Sequence, residues 1–281
     1  MRKCSPVRLP GLARTAVALG LTLLPVAIAA QGRVSVRPSP KAGEKIQVTA
    51  RQEVALRIGL KPDEPGPEYL HVNNAVTYTQ TNGTVDAEGK LEAQIVLESF
   101  QVDEAIGGVP RPARDTSGLK GRILTARFDR DGRLLEIKVP PDMRDASSRL
   151  TQLLAGAYGV INFLPAVELA IGEETTHTTE LPMRLPGNVS QGQLQAKTTL
   201  KMRALDRQGD SRIARLQQDI DVDTATSTVQ MSGGGTIDIN LDRGFVSNTD
   251  TEWKISGTMP MKDATQGPPF YGSIKISVSA N

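Results

Sequence analysis

Between Lys45 and Ile58 the chain alternates. Ile46, Val48, Ala50, Val54, Leu56 and Ile58 share one phase, and Lys45, Gln47, Thr49, Arg51, Glu53 and Arg57 the other, with Gln52 the one polar residue at an apolar position. A period of two sustained over fourteen residues predicts one long strand with a single buried face, about 45 Å from end to end at about 3.3 Å per residue. The alternation returns in Leu194–Ala204, in Ala214–Val222 and from Val229 to Leu241, where it keeps phase across Gly233-Gly234-Gly235. Three glycines inside a strand mark a sharp bend or a close approach of backbones. In all, about eleven strands are predicted, joined mostly by short turns of Gly, Asp, Asn or Pro.

One stretch has a different period. From Asp145 to Leu164 the apolar residues Ala146, Leu150, Leu153, Leu154, Ala157, Ile161 and Leu164 recur at helical spacing. Asp142 or Asp145 can cap the start of this helix, and Pro165 stops it. Leu153, Leu154, Ala157 and Ile161 are predicted to pack on the apolar face of the sheet and to form the side on which a ligand binds. Asn162, Pro165 and Glu168 argue against a membrane span over Leu153–Ile171.

Several landmarks are written twice. "AGEKIQVT" at 42–49 is echoed by "IGEETTHT" at 171–178, and "VDAEGKLEAQIVLESFQVD" at 85–103 aligns without gaps on "LDRQGDSRIARLQQDIDVD" at 205–223. The hairpin "GRILTARFDRDGRLLEI" at 121–137 has a weaker copy in "GGTIDINLDRGFVSNTD" at 234–250. Landmarks in the same order suggest a tandem duplication of a five-strand unit; turn chemistry common to all hairpins is the competing explanation. The expected fold is therefore mainly β (α+β): a curved antiparallel sheet or half-barrel with one helix packed on it. Residues 43–139 form the first β unit, 140–166 the linking helix and 167–281 the second β unit, integrated in one domain, with 31–42 as a leader.

The first 30 residues change the picture of where the protein works. Arg2, Lys3, Arg8 and Arg14 form a basic start, Ala16–Ala30 is apolar apart from a break at Pro25, and small residues end it. That pattern predicts a secretory signal peptide over 1–30, and with it export to the periplasm or the exterior. Cys4, the one cysteine, lies inside this segment, so the exported chain has no disulfide and no cysteine metal site. The whole chain carries 33 Lys and Arg against 31 Asp and Glu, and loss of the four leading basic residues leaves it slightly acidic. No basic run with interleaved aromatics remains, which argues against nucleic acid as a partner.

Candidate chemistry is sparse. His71 and His177 are the two histidines, far apart and without a second ligand at i+2 or i+4. Asp219, Asp221 and Asp223 project from one strand face, and Asp129-Arg130-Asp131-Gly132 resembles the start of a calcium loop but lacks its distal Glu. A solvated strand face and a hairpin turn account for these two. There is no G-x-S-x-G elbow and no phosphate-binding glycine loop before a helix. Aromatic residues make up 4% of the chain, too few for the stacking that carbohydrate sites use. No catalytic residue, metal site or cofactor is expected.

Gly43-Glu44 opening a long strand, Phe128–Glu136 as an F-D-x-D-G-R-L-x-E hairpin before a helix, and Gly172-Glu173 opening a second strand resemble an uncharacterised family of secreted and lipid-anchored bacterial β-rich proteins. The resemblance implies no activity and no site residues. The architecture also resembles, more remotely, the half-barrel of lipoprotein carriers. Eleven strands at about 4.8 Å make a sheet about 50 Å wide, which a helix about 10 Å across covers only in part. The expectation is a non-enzymatic envelope protein with a scaffold or protein-interaction role. The alternative is a carrier of an apolar ligand such as a lipid acyl chain, with that lipid or another envelope protein as partner.

Overall fold

The strands form where the alternation places them. The structure, a computed structural model, describes residues 32–59, 68–130, 132–181, 194–223, 229–258 and 267–281; the expected signal peptide lies outside these. Among the described residues there are fourteen strands: β1 Val34–Ser35, β2 Lys45–Ile58, β3 Leu70–Val85, β4 Leu91–Ile106, β5 Val109–Pro110, β6 Ile123–Phe128, β7 Leu134–Lys138, β8 Glu168–Leu169, β9 Glu174–Leu181, β10 Leu194–Gln208, β11 Ser211–Asp223, β12 Val229–Asn240, β13 Phe245–Thr258 and β14 Pro269–Ala280. Helix α1 is Arg144–Gly159. Among the described residues, no helix is long and apolar enough to cross a membrane.

Twelve strands make one antiparallel sheet, ordered β7-β6-β4-β3-β2-β14-β13-β12-β11-β10-β9, with β5 paired to β4. The short β1 and β8 pair separately. The chain lays down β2 to β7 outward from the middle, crosses by α1 to the opposite edge, and returns from β9 to β14. Strand β14 then pairs with β2 over Ala280↔Val48 to Phe270↔Ile58. The sheet is curved and not closed, since β7 and β9 each have one partner.

In the β3–β4 and β6–β7 hairpins, Asp and Gly make the turns, whereas Asp206, aligned with Asp86, is paired inside β10 opposite Ile213. The Asp86 carboxylate accepts from the amides of Glu88 (3.0 Å) and Lys90 (2.7 Å), and the Asp129 carboxylate from the amide of Arg133 (2.8 Å). Gly89 and Gly132 take φ of 80° and 77°, which side chains disfavour.

Two features differ from expectation. The helix does not run to Leu164: α1 ends at Gly159 and tightens into a 3₁₀ turn over Val160–Phe163. Gly156 and Gly159 weaken the last turns, and Pro165 drives Leu164 into extended backbone, φ −93° and ψ 119°. The leader at 31–42 is structural from Arg33 onward. Val36 is fully buried among Leu164, Leu169, Leu200 and Leu216, and its amide donates to the Val167 carbonyl at 3.1 Å. Pro38 and Pro40 sit against Gly132, and Lys41 Nζ donates to the Asp242 carbonyl. The segment thus plugs one end of the inner face.

The core lies between the inner face and α1. Ile46, Val48, Ala50, Val76, Tyr78, Leu124, Leu150, Leu153 and Leu154 belong to one cluster. A second gathers around Val36, Leu200 and Leu216, and a third around Phe163 and Trp253, whose rings stand 5.4 Å apart. The outer face is polar: Arg51, Glu53, Asp219, Asp221, Glu252, Lys254 and Lys275 lie on it or at its rim.

Candidate functional site

Helix α1 is the element that divides the inner face. Leu153, Leu154 and Ala157 enter the main core cluster, and Leu150 and Tyr158 join them. Ile161, in the 3₁₀ turn, is also buried. Ala157 and Ile161 line a cavity of about 60 Å³ bounded by Pro38, Pro40, Tyr78, Phe128 and Val278; Leu153 and Leu154 do not reach it. Cavities of roughly 150 Å³ are needed to take up benzene, so this one admits a couple of waters and no acyl chain.

A polar chain runs beside that cavity. Tyr78 Oη donates to Tyr158 Oη (2.8 Å), which donates to Gln80 Oε1 (2.5 Å). Gln80 Nε2 donates to Asn82 Oδ1 (2.7 Å), and Asn82 Nδ2 to the Lys41 carbonyl (3.0 Å). Burial pushes both phenols above their ordinary range; the hydrogen bond to Tyr158 partly offsets this at Tyr78, whereas Tyr78 adds to it at Tyr158. Both therefore stay neutral donors, and the chain pins the C-terminal half of α1 to β3 and the plug. Tyr158 lay outside the predicted helical face, although it stands four residues after Leu154.

The other end of the inner face is less covered. Along β2, the inward residues Ile46, Val48 and Ala50 are buried, but Val54, Leu56 and Ile58 are half-buried. The strand registers align these with neighbours. Ile106, Leu70, Leu56, Gly272 and Ile255 form one row across β4, β3, β2, β14 and β13; Glu104, Val72, Val54 and Ile274 form the next. All of these residues are half-buried. The result is an apolar trough five strands wide. Above it, towards the plug, Gln52 accepts from Asn74 Nδ2 at 3.4 Å, and a β-carbon on Gly156 of α1 would stand 3.5 Å from Ile276 Cδ1 and 3.8 Å from Gln52 Nε2.

A charged cleft opens at the β4 side of the trough. Strand β4 pairs with β6 only as far as Val96 and with β5 only at Ala105 and Ile106. In the gap lies a cleft of about 320 Å³ lined by Val102, Glu104, Arg111, Pro112 and Arg114. Arg149 of α1 donates to both oxygens of Glu104 at 2.9 and 3.0 Å, with side chains 26% and 17% exposed.

The histidines stand apart. His71 lies on the outer face and meets Glu68 at 2.9 Å. His177 lies on β9, directly across from Thr198. Burial depresses the His177 pKa. The Phe163 carbonyl opposes that shift without forming a good hydrogen bond, and the positive charges of Arg37 and Arg133 add to it. A histidine with a depressed folded pKa binds fewer protons folded than unfolded. Stability should therefore fall as pH drops through about 6.5, the ordinary histidine value, and towards the folded pKa. The contribution is present above that window. Urea unfolding of the parent and of His177→Gln between pH 5 and 8 checks this: the variant should lose part of the acid-side decline, and identical profiles would refute it.

Asp219 and Asp221 are exposed on β11, and among the described residues no three His, Cys, Asp or Glu side chains stand together as a metal site. An open depression of about 700 Å³ carries mixed charges, among them Arg57, Asp221, Glu252 and Lys254.

The fold and site define a mainly β protein with a curved, open antiparallel sheet and one covering helix. No family model and no curated protein sequence matches the chain. Among solved structures it is similar to lipovitellin, from a study of lipid–protein interactions, at 12% identity and TM-score 0.48, over 86% of this chain and 25% of that one. The chain thus spans about a quarter of lipovitellin's length. It is also similar to an exported protein with a YmcC-like fold from Bacteroides fragilis, at 9% identity and TM-score 0.24, over 88% and 100% of the two chains. A third likeness is to an outer membrane channel from Pseudomonas putida, at 7% identity and TM-score 0.19, over 88% and 98%.

Proposed function

We propose that this protein is a non-enzymatic exported envelope protein that holds an apolar ligand, an acyl chain or a chain of similar shape, in the inner-face trough beside α1. The observation that carries this reading is the change along β2 from buried Ile46, Val48 and Ala50 to half-buried Val54, Leu56 and Ile58, matched across four neighbouring strands. Apolar rows left partly open on a concave surface suit a slender ligand better than a globular partner, and contiguous apolar surface of this kind marks binding sites.

Nile red, an uncharged apolar dye, tests the reading by fluorescence titration. The parent should bind it saturably, and Leu56→Asp or Ile274→Asn should weaken binding about tenfold or more, since each places an unpaired polar group in an apolar site. Circular dichroism confirms that the variants fold. Failure of the parent to bind would overturn the reading and leave a scaffold or interaction role in its place.

A further inference from the structure

The cleft beside the trough has a chemical bias. Its two free-standing side chains, Arg111 and Arg114, are exposed and make no ion pair among the described residues. A third guanidinium, Arg149, reaches Glu104 from α1. Glu104 is the one carboxylate lining the cleft. Three guanidiniums around one carboxylate leave an excess of positive charge, next to the apolar wall of Val102 and Pro112.

The cleft is continuous with the trough. Glu104 shares a register row with Val72 and Val54, and Ile106, two residues on, shares the next with Leu70 and Leu56. The backbone holds the arrangement, because the Arg111 amide donates to the Glu104 carbonyl at 2.7 Å. Guanidinium groups bind carboxylate and phosphate oxygens in pairs, which makes arginine the usual reader of such groups.

The geometry points to an anionic amphiphile as the ligand: its carboxylate or phosphate lies against Arg111 and Arg114, with Arg149 in reach, and its chain runs into the trough over Val72 and Val54. This rests on the proposed apolar-ligand function and adds the head-group class to it. Glu104 competes with the ligand for Arg149, so its neutralisation frees that arginine.

The test compares hexadecanoate, hexadecanol and inorganic phosphate by displacement of Nile red and by calorimetry. The parent should bind the acid about tenfold more tightly than the alcohol, a difference of about 1.4 kcal/mol. Arg111→Gln/Arg114→Gln, both at exposed positions, should remove that preference and leave the alcohol's affinity unchanged. Glu104→Gln should strengthen binding of the acid alone. Equal affinity of the parent for acid and alcohol would overturn the head-group assignment while the apolar-ligand reading stands. Binding of neither would overturn both. Phosphate bound as tightly as the acid would mean a simple anion site and would also overturn the assignment.

Discussion

Leu153→Ala should cost about 2–5 kcal/mol of folding stability, the range for truncating a buried leucine. Leu153 is 1% exposed and belongs to the cluster that joins α1 to β2, β3, β4 and β6. The pinned C-terminal half of α1 limits collapse around the vacancy, because Tyr158 stays tied to Tyr78 and Gln80. The loss should therefore sit well inside that range. Urea unfolding with a common m-value measures it, and a change below about 0.5 kcal/mol would mean that the helix contributes little packing there.

Gly235→Ala should destabilise by at least about 3 kcal/mol, at or beyond the upper end for overpacking. A β-carbon at Gly235 would collide with the Asp250 carbonyl oxygen and approach Thr251 Cα to 2.7 Å, both backbone atoms of the paired strand β13. Backbone cannot swing aside as a flexible side chain does, so β12 and β13 would have to separate locally. Gly156→Ala is the contrast: its added carbon meets only ordinary contacts with Ile276 and Gln52, and it should be neutral or slightly stabilising through helix propensity. Thermal unfolding of both variants checks the pair; a Gly235→Ala protein as stable as the parent would show that the strands part easily.

Much of this architecture was legible in the alternation. Strand β2 spans the fourteen residues of the pattern, Leu153, Leu154 and Ala157 of the helix join the core cluster with the sheet, and Ile161, in the turn after the helix, is buried. Gln52, the polar exception, sits in a row that also holds Asn74 and Gln218 on the inner face. Gln52 was visible as a break in pattern, but its row partners on other strands were not. The Tyr78–Tyr158–Gln80–Asn82 chain has the same character: β3 carries three of its members in strict alternation, and the fourth comes from a helix some eighty residues later. Val36 was hidden because Val34 and Val36, just ahead of Pro38 and Pro40, are too short an apolar run to carry a periodic signal. The charged cleft depends on where β6 stops pairing with β4, a matter of register that no local pattern encodes. The sheet order was equally out of reach, since alternation identifies strands and not their neighbours.

The pairing of β14 with β2 places the seam of the sheet at its centre, between strands more than two hundred residues apart. The chain is delivered from its N-terminus, so β2 emerges early and presents a bare long edge until β14 arrives. An open edge of that length is a template for pairing with other chains, and closure across so long a loop is slow. A chain that folds as it is delivered would pass through a half-sheet stage whose hazard is association with its own copies. The completing strand acts as a late-arriving keystone: its removal would leave two half-sheets, each with an inner edge exposed, rather than a sheet trimmed at its rim.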